Sequence, residues 1–283
     1  MTPAAMASRE SVLELSSVPS FFRSPIQMLS NLRKNRNLLK NLVARDFKVN
    51  YHGHILGFFW SMLEPLALTV IFFLVFVILR GQSDTLLPLK IMIGILIFNS
   101  FAKTMSHCTS CLIRNSSLIK QVYFPREIFP TAIAGFQLMS LALSITIVIP
   151  YMIYENIMPT NMLFLLPVAM FCSVLLGQGL GMIAAVIQVR IRDLKQIIDL
   201  IVRAGFFLSG VFFGAEIIPP EHLEMYFFNP IAVFIEMARA GVLGDLGVLK
   251  EIAILRSIFI SILMFFIGST IFVKYERTAV KYL

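Results

Sequence analysis

Six polar residues recur through the second apolar run, 91–113, and just past its end: Asn99, Lys103, Ser106, His107, Ser110 and Arg114. Their steps, mostly of three and four, place them along one face of a single helix. A lysine in mid-membrane costs roughly 2.5–3.5 kcal/mol on insertion scales. Such a stripe faces either a polar interface between helices or an aqueous path. The path is the reading adopted, with Asn99, Lys103, Ser106 and Ser110 along it. Glu64 is the one ionisable residue of another apolar run, 57–79. It too must face protein or water. By depth, the Lys103 side chain is close enough to approach it.

Chemistry of other kinds lacks its residues. No G-x-x-x-x-G-K-[ST] phosphate loop occurs. His52 and His54 form an isolated pair, and His107 and His222 stand apart, so no set has metal-ligand spacing. No nucleophile is placed with a base. The chain therefore offers no catalytic centre and no cofactor site of its own. Cys108-x-x-Cys111 reads either as a redox or metal pair or as two small residues on one helix face. The second reading is adopted.

The elements that must carry these residues are membrane helices. Apolar runs cover 57–79, 91–113, 128–151, 162–187, 197–213 and 252–273. About 20 such residues cross a ~30 Å hydrocarbon core. Hydrophobic residues make up 58% of the chain and charged ones 14%. A water-soluble domain could not cover so much apolar surface, and six spans leave no room for one. The fold class is an all-α integral membrane protein with six transmembrane helices.

Charge sets the expected orientation. Of 24 Lys and Arg, 18 fall in 1–56, 114–126, 190–203 and 274–283. Positive loops stay cytoplasmic, so both termini are expected there. The net charge of +8 reflects orientation and anionic headgroups; nothing in it calls for nucleic acid. No signal-peptide pattern opens the chain.

Between the spans lie segments with their own patterns. Residues 1–36 are expected to be loosely ordered. In 37–48, Leu38, Leu39, Leu42, Val43 and Phe47 recur at helical spacing, which predicts an amphipathic interfacial helix. Pro65 predicts a kink in the first span. In 115–127, Ser116 or Ser117 can cap a short helix, and Pro125 ends it. Leu118, Ile119, Val122 and Tyr123 give that helix an apolar side suited either to docking on a partner or to packing against its own membrane domain; docking is the reading adopted. Gly177-x-x-x-Gly181 is a close-packing signature. The stretch 216–247 is too apolar for a plain loop and is broken by Pro219-Pro220 and Asn229-Pro230. It predicts two short helices dipping part-way into the membrane.

These residues resemble a known family. The carrying segments are Arg45-Asp46-Phe47-Lys48 with Tyr51 and Gly53, then Leu56-Gly57-Phe58-Phe59-Trp60 and Pro65-Leu66. After them come Val122-Tyr123-Phe124-Pro125-Arg126-Glu127-Ile128, and Asn229-Pro230-Ile231 with Glu236 and Arg239. Together they are similar to the permease subunit of ABC-2-type polysaccharide exporters, the group that handles O-antigen, teichoic acid and capsule. His52 and His54 depart from the family's usual Arg and Ser. Phe212-Phe213-Gly214 stands where a Pro-containing segment is common.

The resemblance implies a half-transporter in the bacterial inner membrane. Two copies of this chain would pair with two copies of a cytoplasmic ABC ATPase, which binds the ATP and Mg. The family's gate helix maps to 37–48, its coupling helix to 116–124 and its extracytoplasmic helices to 217–241. ATPase docking then falls on Ser117, Leu118, Ile119, Val122 and Tyr123. The implied substrate is a glycan on a polyprenyl-pyrophosphate lipid; Arg45, Lys48 and Arg126 at the rim either meet its pyrophosphate or contact lipid headgroups as part of the positive-inside bias. Phe59, Trp60, Phe206, Phe207, Phe212 and Phe213 either stack on sugar rings or pack against lipid and core. The rival readings are a permease for a small lipid or drug and an integral membrane transferase.

Overall fold

The computed structural model describes residues 24–51, 57–80, 85–121 and 125–280. Val122 and Tyr123, the His52/His54 pair and the first 23 residues lie outside them. Among the described residues all regular structure is helical.

Two helices precede the membrane bundle: α1 (Ser24–Lys34) and α2 (Arg36–Tyr51). The bundle then runs α3 (Phe59–Arg80), α4 (Leu87–Thr109), the single turn α5 (Cys111–Arg114), the short α6 (Ser116–Gln121) and α7 (Ile128–Ser144). A 3-10 turn joins α7 to α8 (Val148–Tyr154). After these come α9 (Leu165–Gln188), α10 (Leu194–Leu208), α11 (Pro220–Tyr226), α12 (Pro230–Leu243) and α13 (Glu251–Val280). Among the described residues, five stretches are long and apolar enough to cross a membrane: Phe59–Ile78, Leu87–Thr109, Ile128–Tyr154, Asn161–Gln188 and Glu251–Glu276.

The fifth predicted span needs a correction. Helix covers 194–208, not 197–213, and 15 residues rise only about 22 Å. The chain then turns at Gly210, whose φ is +67°. That left-handed conformation suits glycine, and a side chain there would strike the Tyr226 hydroxyl. Even so, this segment climbs beside α4 over its whole depth. Ser106 Oγ bonds Asp199 at 2.9 Å, Gly205 faces the Phe98 ring, and Val211 abuts Gly94. Lys90 pairs with Glu216 at 3.2 Å. A short helix plus non-helical backbone therefore makes the crossing. The two short helices predicted after it are α11 and α12, bent by 108°. Asn229 caps α12 by accepting from Ile231 N–H, and Pro230 opens it.

Close packing makes α9 the centre. The Gly177 stripe meets α4: an added Cβ at Gly177 would reach the Phe101 carbonyl at 2.7 Å, and one at Gly181 would reach Cys108 Cβ at 2.5 Å. On the other side, Gly179 sits against Met264 and Gly268 against Gly179. Side chains at these positions would push the helices apart. The peripheral helix is α3, which leaves Val70, Ile71, Leu74 and Ile78 exposed. Pro65 takes from it the N–H that would bond the Ser61 carbonyl. Ser144 Oγ from α7 donates to that carbonyl instead, at 3.5 Å.

Part of the N-terminal segment is ordered, contrary to expectation. Met28 on α1 is buried in one cluster with Leu42, Ile119, Phe129 and Phe272, and Asn31 donates to Glu127 at 2.9 Å. The first and last described helices thus meet at the same end of the bundle. That end also carries α2, α5 and α6 and is called the basic end below.

Candidate functional site

The stripe on α4 is real in space and is held from both sides. Lys103 Nζ lies 2.9 Å from Glu64 Oε2 on α3, with both side chains about half exposed. One turn further, Ser106 Oγ donates to Asp199 Oδ1 on α10 at 2.9 Å. Lys195 Nζ donates to the same hydroxyl and to Asp199 Oδ1, each at 2.6 Å. The two outlying helices of this face are therefore each tied to α4 by a carboxylate. Asn99 lies beside Glu64 and Lys103 in a small crevice with Gln137 and Ser140. Ser110 does not extend the stripe, because α4 ends at Thr109 and its hydroxyl turns back to the His107 carbonyl at 3.3 Å. The Lys195–Asp199 pair was missed in the sequence. Its i,i+4 spacing was the available signal.

Two cavities adjoin this face. One, of about 330 Å³, opens at the basic end between α2, α5 and α7, with Arg45, Asp46, Arg114 and Asn115 on its wall. The other, of about 670 Å³, reaches Glu64 and Lys103 and is mostly apolar, lined by Trp60, Leu63, Leu68 and Phe136. Asn50, His107 and Phe136 line both.

The aromatics divide by place. Trp60 lines the larger cavity and, like Phe59, is largely exposed. Phe206 and Phe212 form a packed cluster with Phe72 and Phe98; the Phe72 and Phe212 rings are centred 4.0 Å apart. Phe207 packs on that cluster while remaining exposed. Phe213 lies beside Tyr226 at 6.4 Å.

At the basic end, two expectations change. On α6, Ser117 and Leu118 are exposed, but Ile119 is turned inward, only 7% exposed. It anchors the helix to its own membrane domain and is not available for docking. Arg126 is drawn in toward Glu276 of α13, at 3.9 Å, and is only 14% exposed. It is not a free cation at the rim. Arg45 and Lys48 are exposed on α2, Arg45 holding Asp46 at 2.8 Å. Cys108 and Cys111 are both buried, and Cys108 Sγ points at the Pro130 carbonyl.

The far end is organised by Arg239, which lies within the expected extracytoplasmic helices 217–241. It is 2% exposed. Its Nε donates to the Lys90 carbonyl, Nη1 to the Phe213 carbonyl and Glu236, and Nη2 to the Gly210 and Val211 carbonyls, all within 2.8–3.0 Å. All five guanidinium donors are satisfied. Three of the acceptors are backbone carbonyls of the non-helical segment that follows α10. Glu236 Oε1 also accepts from Ala215 N–H at 3.0 Å. Irregular backbone at membrane depth must be satisfied by protein, and Arg239 does this.

A broken fifth crossing, a helical hairpin behind it and an interfacial helix before the first span make a distinctive constellation. The family model described as ABC-2 type transporter matches residues 37–243. The chain belongs to this family. Its curated relatives include the O-antigen export system permease protein RfbA of Myxococcus xanthus, 27% identical over 73% of this chain and 80% of that one. The polysialic acid transport protein KpsM of Escherichia coli is 23% identical over 71% and 80%. The capsule polysaccharide export inner-membrane protein CtrC of Neisseria meningitidis is 23% identical over 77% and 83%. The segment expected as a gate helix falls on α2, which is longer at 36–51, and the described part of the segment expected as a coupling helix falls on α6.

Proposed function

We propose that this chain is the permease subunit of an exporter that moves a lipid-linked polysaccharide across the bacterial inner membrane, driven by a separate cytoplasmic ATPase. The observation that carries the reading is the charged face of α4. Lys103 and Glu64 line the larger cavity, which adjoins the one at the basic end, and Lys195 and Asp199 hold the same face one turn further on, within a family whose named relatives export polysaccharides. Charges at that depth are costly unless they serve a polar path. The basic end faces the cytoplasm in this reading.

Two copies build the pathway. The apolar faces of α3 (Val70, Leu74, Ile78) and α10 (Ile197, Leu200, Ile201) are uncovered and flank the charged face. Pairing them across two protomers would enclose that face and shield it from lipid. Ser117 and Leu118, with Val122 and Tyr123 beyond them, meet the ATPase, whose nucleotide and Mg supply the work. Deletion of the gene should abolish surface glycan and leave its lipid-linked form inside the cell. Copurification should recover an ATPase in equal amount. Normal surface glycan in the deletion strain would sink the reading.

A further inference from the structure

Of the three rim cations expected to meet a diphosphate, Arg45 and Arg126 are held by carboxylates, and Lys48 is exposed on α2 away from the 330 Å³ cavity. Arg126 is drawn to Glu276, and Arg45 holds Asp46 through Nε and Nη2 at 3.0 and 2.8 Å. Arg114 is different. It is exposed, lines the 330 Å³ cavity, and has no carboxylate within 4 Å among the described residues. His107, seven residues earlier, lines the same cavity, and its imidazole makes no hydrogen bond among the described residues. Asn115 is pinned there by its own bond to the Cys111 carbonyl at 2.8 Å.

We infer that this cavity is the seat of a prenyl diphosphate headgroup, with Arg114 as its principal ligand and His107 at the inner wall. The inference rests on the lipid-linked substrate proposed above and assigns it a place. A guanidinium presents paired donors that match phosphate oxygens. The adjoining 670 Å³ cavity supplies the other half of an amphiphile's needs. Its wall of Trp60, Leu63, Leu68 and Phe136 is apolar, and it meets the polar cavity at His107 and Phe136. Its one carboxylate, Glu64, is neutralised by Lys103. Asp46 is the remaining acid on the headgroup side, and Arg45 covers it. A charged head in one chamber and an isoprenoid chain in the next fit this pair of cavities better than a free anion does.

The single tryptophan of the chain makes the test direct, because Trp60 lines the apolar chamber. The full-length permease, in nanodiscs of neutral phosphatidylcholine, is titrated with farnesyl diphosphate while Trp60 emission is followed. A saturable change is expected. Arg114→Gln should weaken it about ten-fold or more, as loss of a charged hydrogen-bonding partner does. Arg126→Gln should stay within about two-fold. Farnesol and inorganic pyrophosphate should each bind far more weakly, since each fills one chamber only. Equal binding by Arg114→Gln overturns the site. So does equal competition by phosphatidylglycerol, which would make this a headgroup site for bulk lipid. Surface glycan, scored in cells carrying the same variants, separates the two levels. Intact wild-type export with unaltered binding in Arg114→Gln removes this site alone. Absence of glycan export by the wild type removes the reading beneath it.

Discussion

Lys103 on α4 and Glu64 on α3 meet at 2.9 Å, joining the most buried of the long apolar helices to the least buried. Glu64 immediately precedes Pro65, whose missing N–H leaves the local backbone held by Ser144 rather than by its own helix. The ion pair therefore sits where α3 is least constrained. Because both side chains are half exposed, the pair adds little to stability. Its consequence is positional, since it decides where α3 rests against the charged face.

Lys103→Met should insert and fold normally yet export poorly. Lys103→Glu and Glu64→Lys should each fail, and the double exchange should recover part of the activity. Surface glycan measured against permease abundance in the membrane checks this. Full export by Lys103→Met would show that the pair is only a structural contact.

Arg239→Lys should destabilise the permease by about 3 kcal/mol or more, because a lysine cannot serve five acceptors and broken buried charge networks cost that much. The readout is the melting temperature of the purified permease, with Arg239→Gln as a second variant. Unchanged melting in both would mean that the broken crossing holds itself together.

On α6, Leu118→Asp should leave the permease folded but reduce copurified ATPase. Ile119→Ala should act in the opposite way, lowering permease stability by roughly 2 kcal/mol or more through a cavity in the cluster with Leu42 and Phe272. Melting and pull-down on the same samples separate the two effects. Lost association in Ile119→Ala at normal melting would reverse the assignment.

Orientation is open to thiol labelling in a background lacking Cys108, Cys111 and Cys172. Cysteines at Met158 and Asp245 should react with an impermeant reagent from outside, and one at Leu118 should not. Both outer positions are exposed. Their neighbours are poor choices: Asn156 has φ +55°, and a Cβ at Gly244 would strike the Thr160 hydroxyl. Labelling of Leu118→Cys from outside would invert the topology.

Much of this was readable in one dimension because hydrophobic runs and helical periods are local properties. Residues 57–79 must become a membrane helix wherever they lie. The spacing of Asn99, Lys103 and Ser106 puts them on one face regardless of what that face meets. Depth alone brought Lys103 level with Glu64. The Gly177-x-x-x-Gly181 stripe named its own use, since removing side chains only helps where another backbone comes close.

What the tertiary structure decided is which neighbour each face meets. Ile119 and Leu118 are adjacent and equally apolar, yet the first is buried in its own domain and the second is not. Arg126 and Arg114 carry the same charge in the same short loop, but only Arg126 has Glu276, 150 residues away, within reach. Arg239 is a lone cation in an apolar stretch until α12 is folded against the segment that follows α10, where its donors find five acceptors. Apart from Glu236, three residues before Arg239, those partners come from distant segments, and no local pattern encodes them.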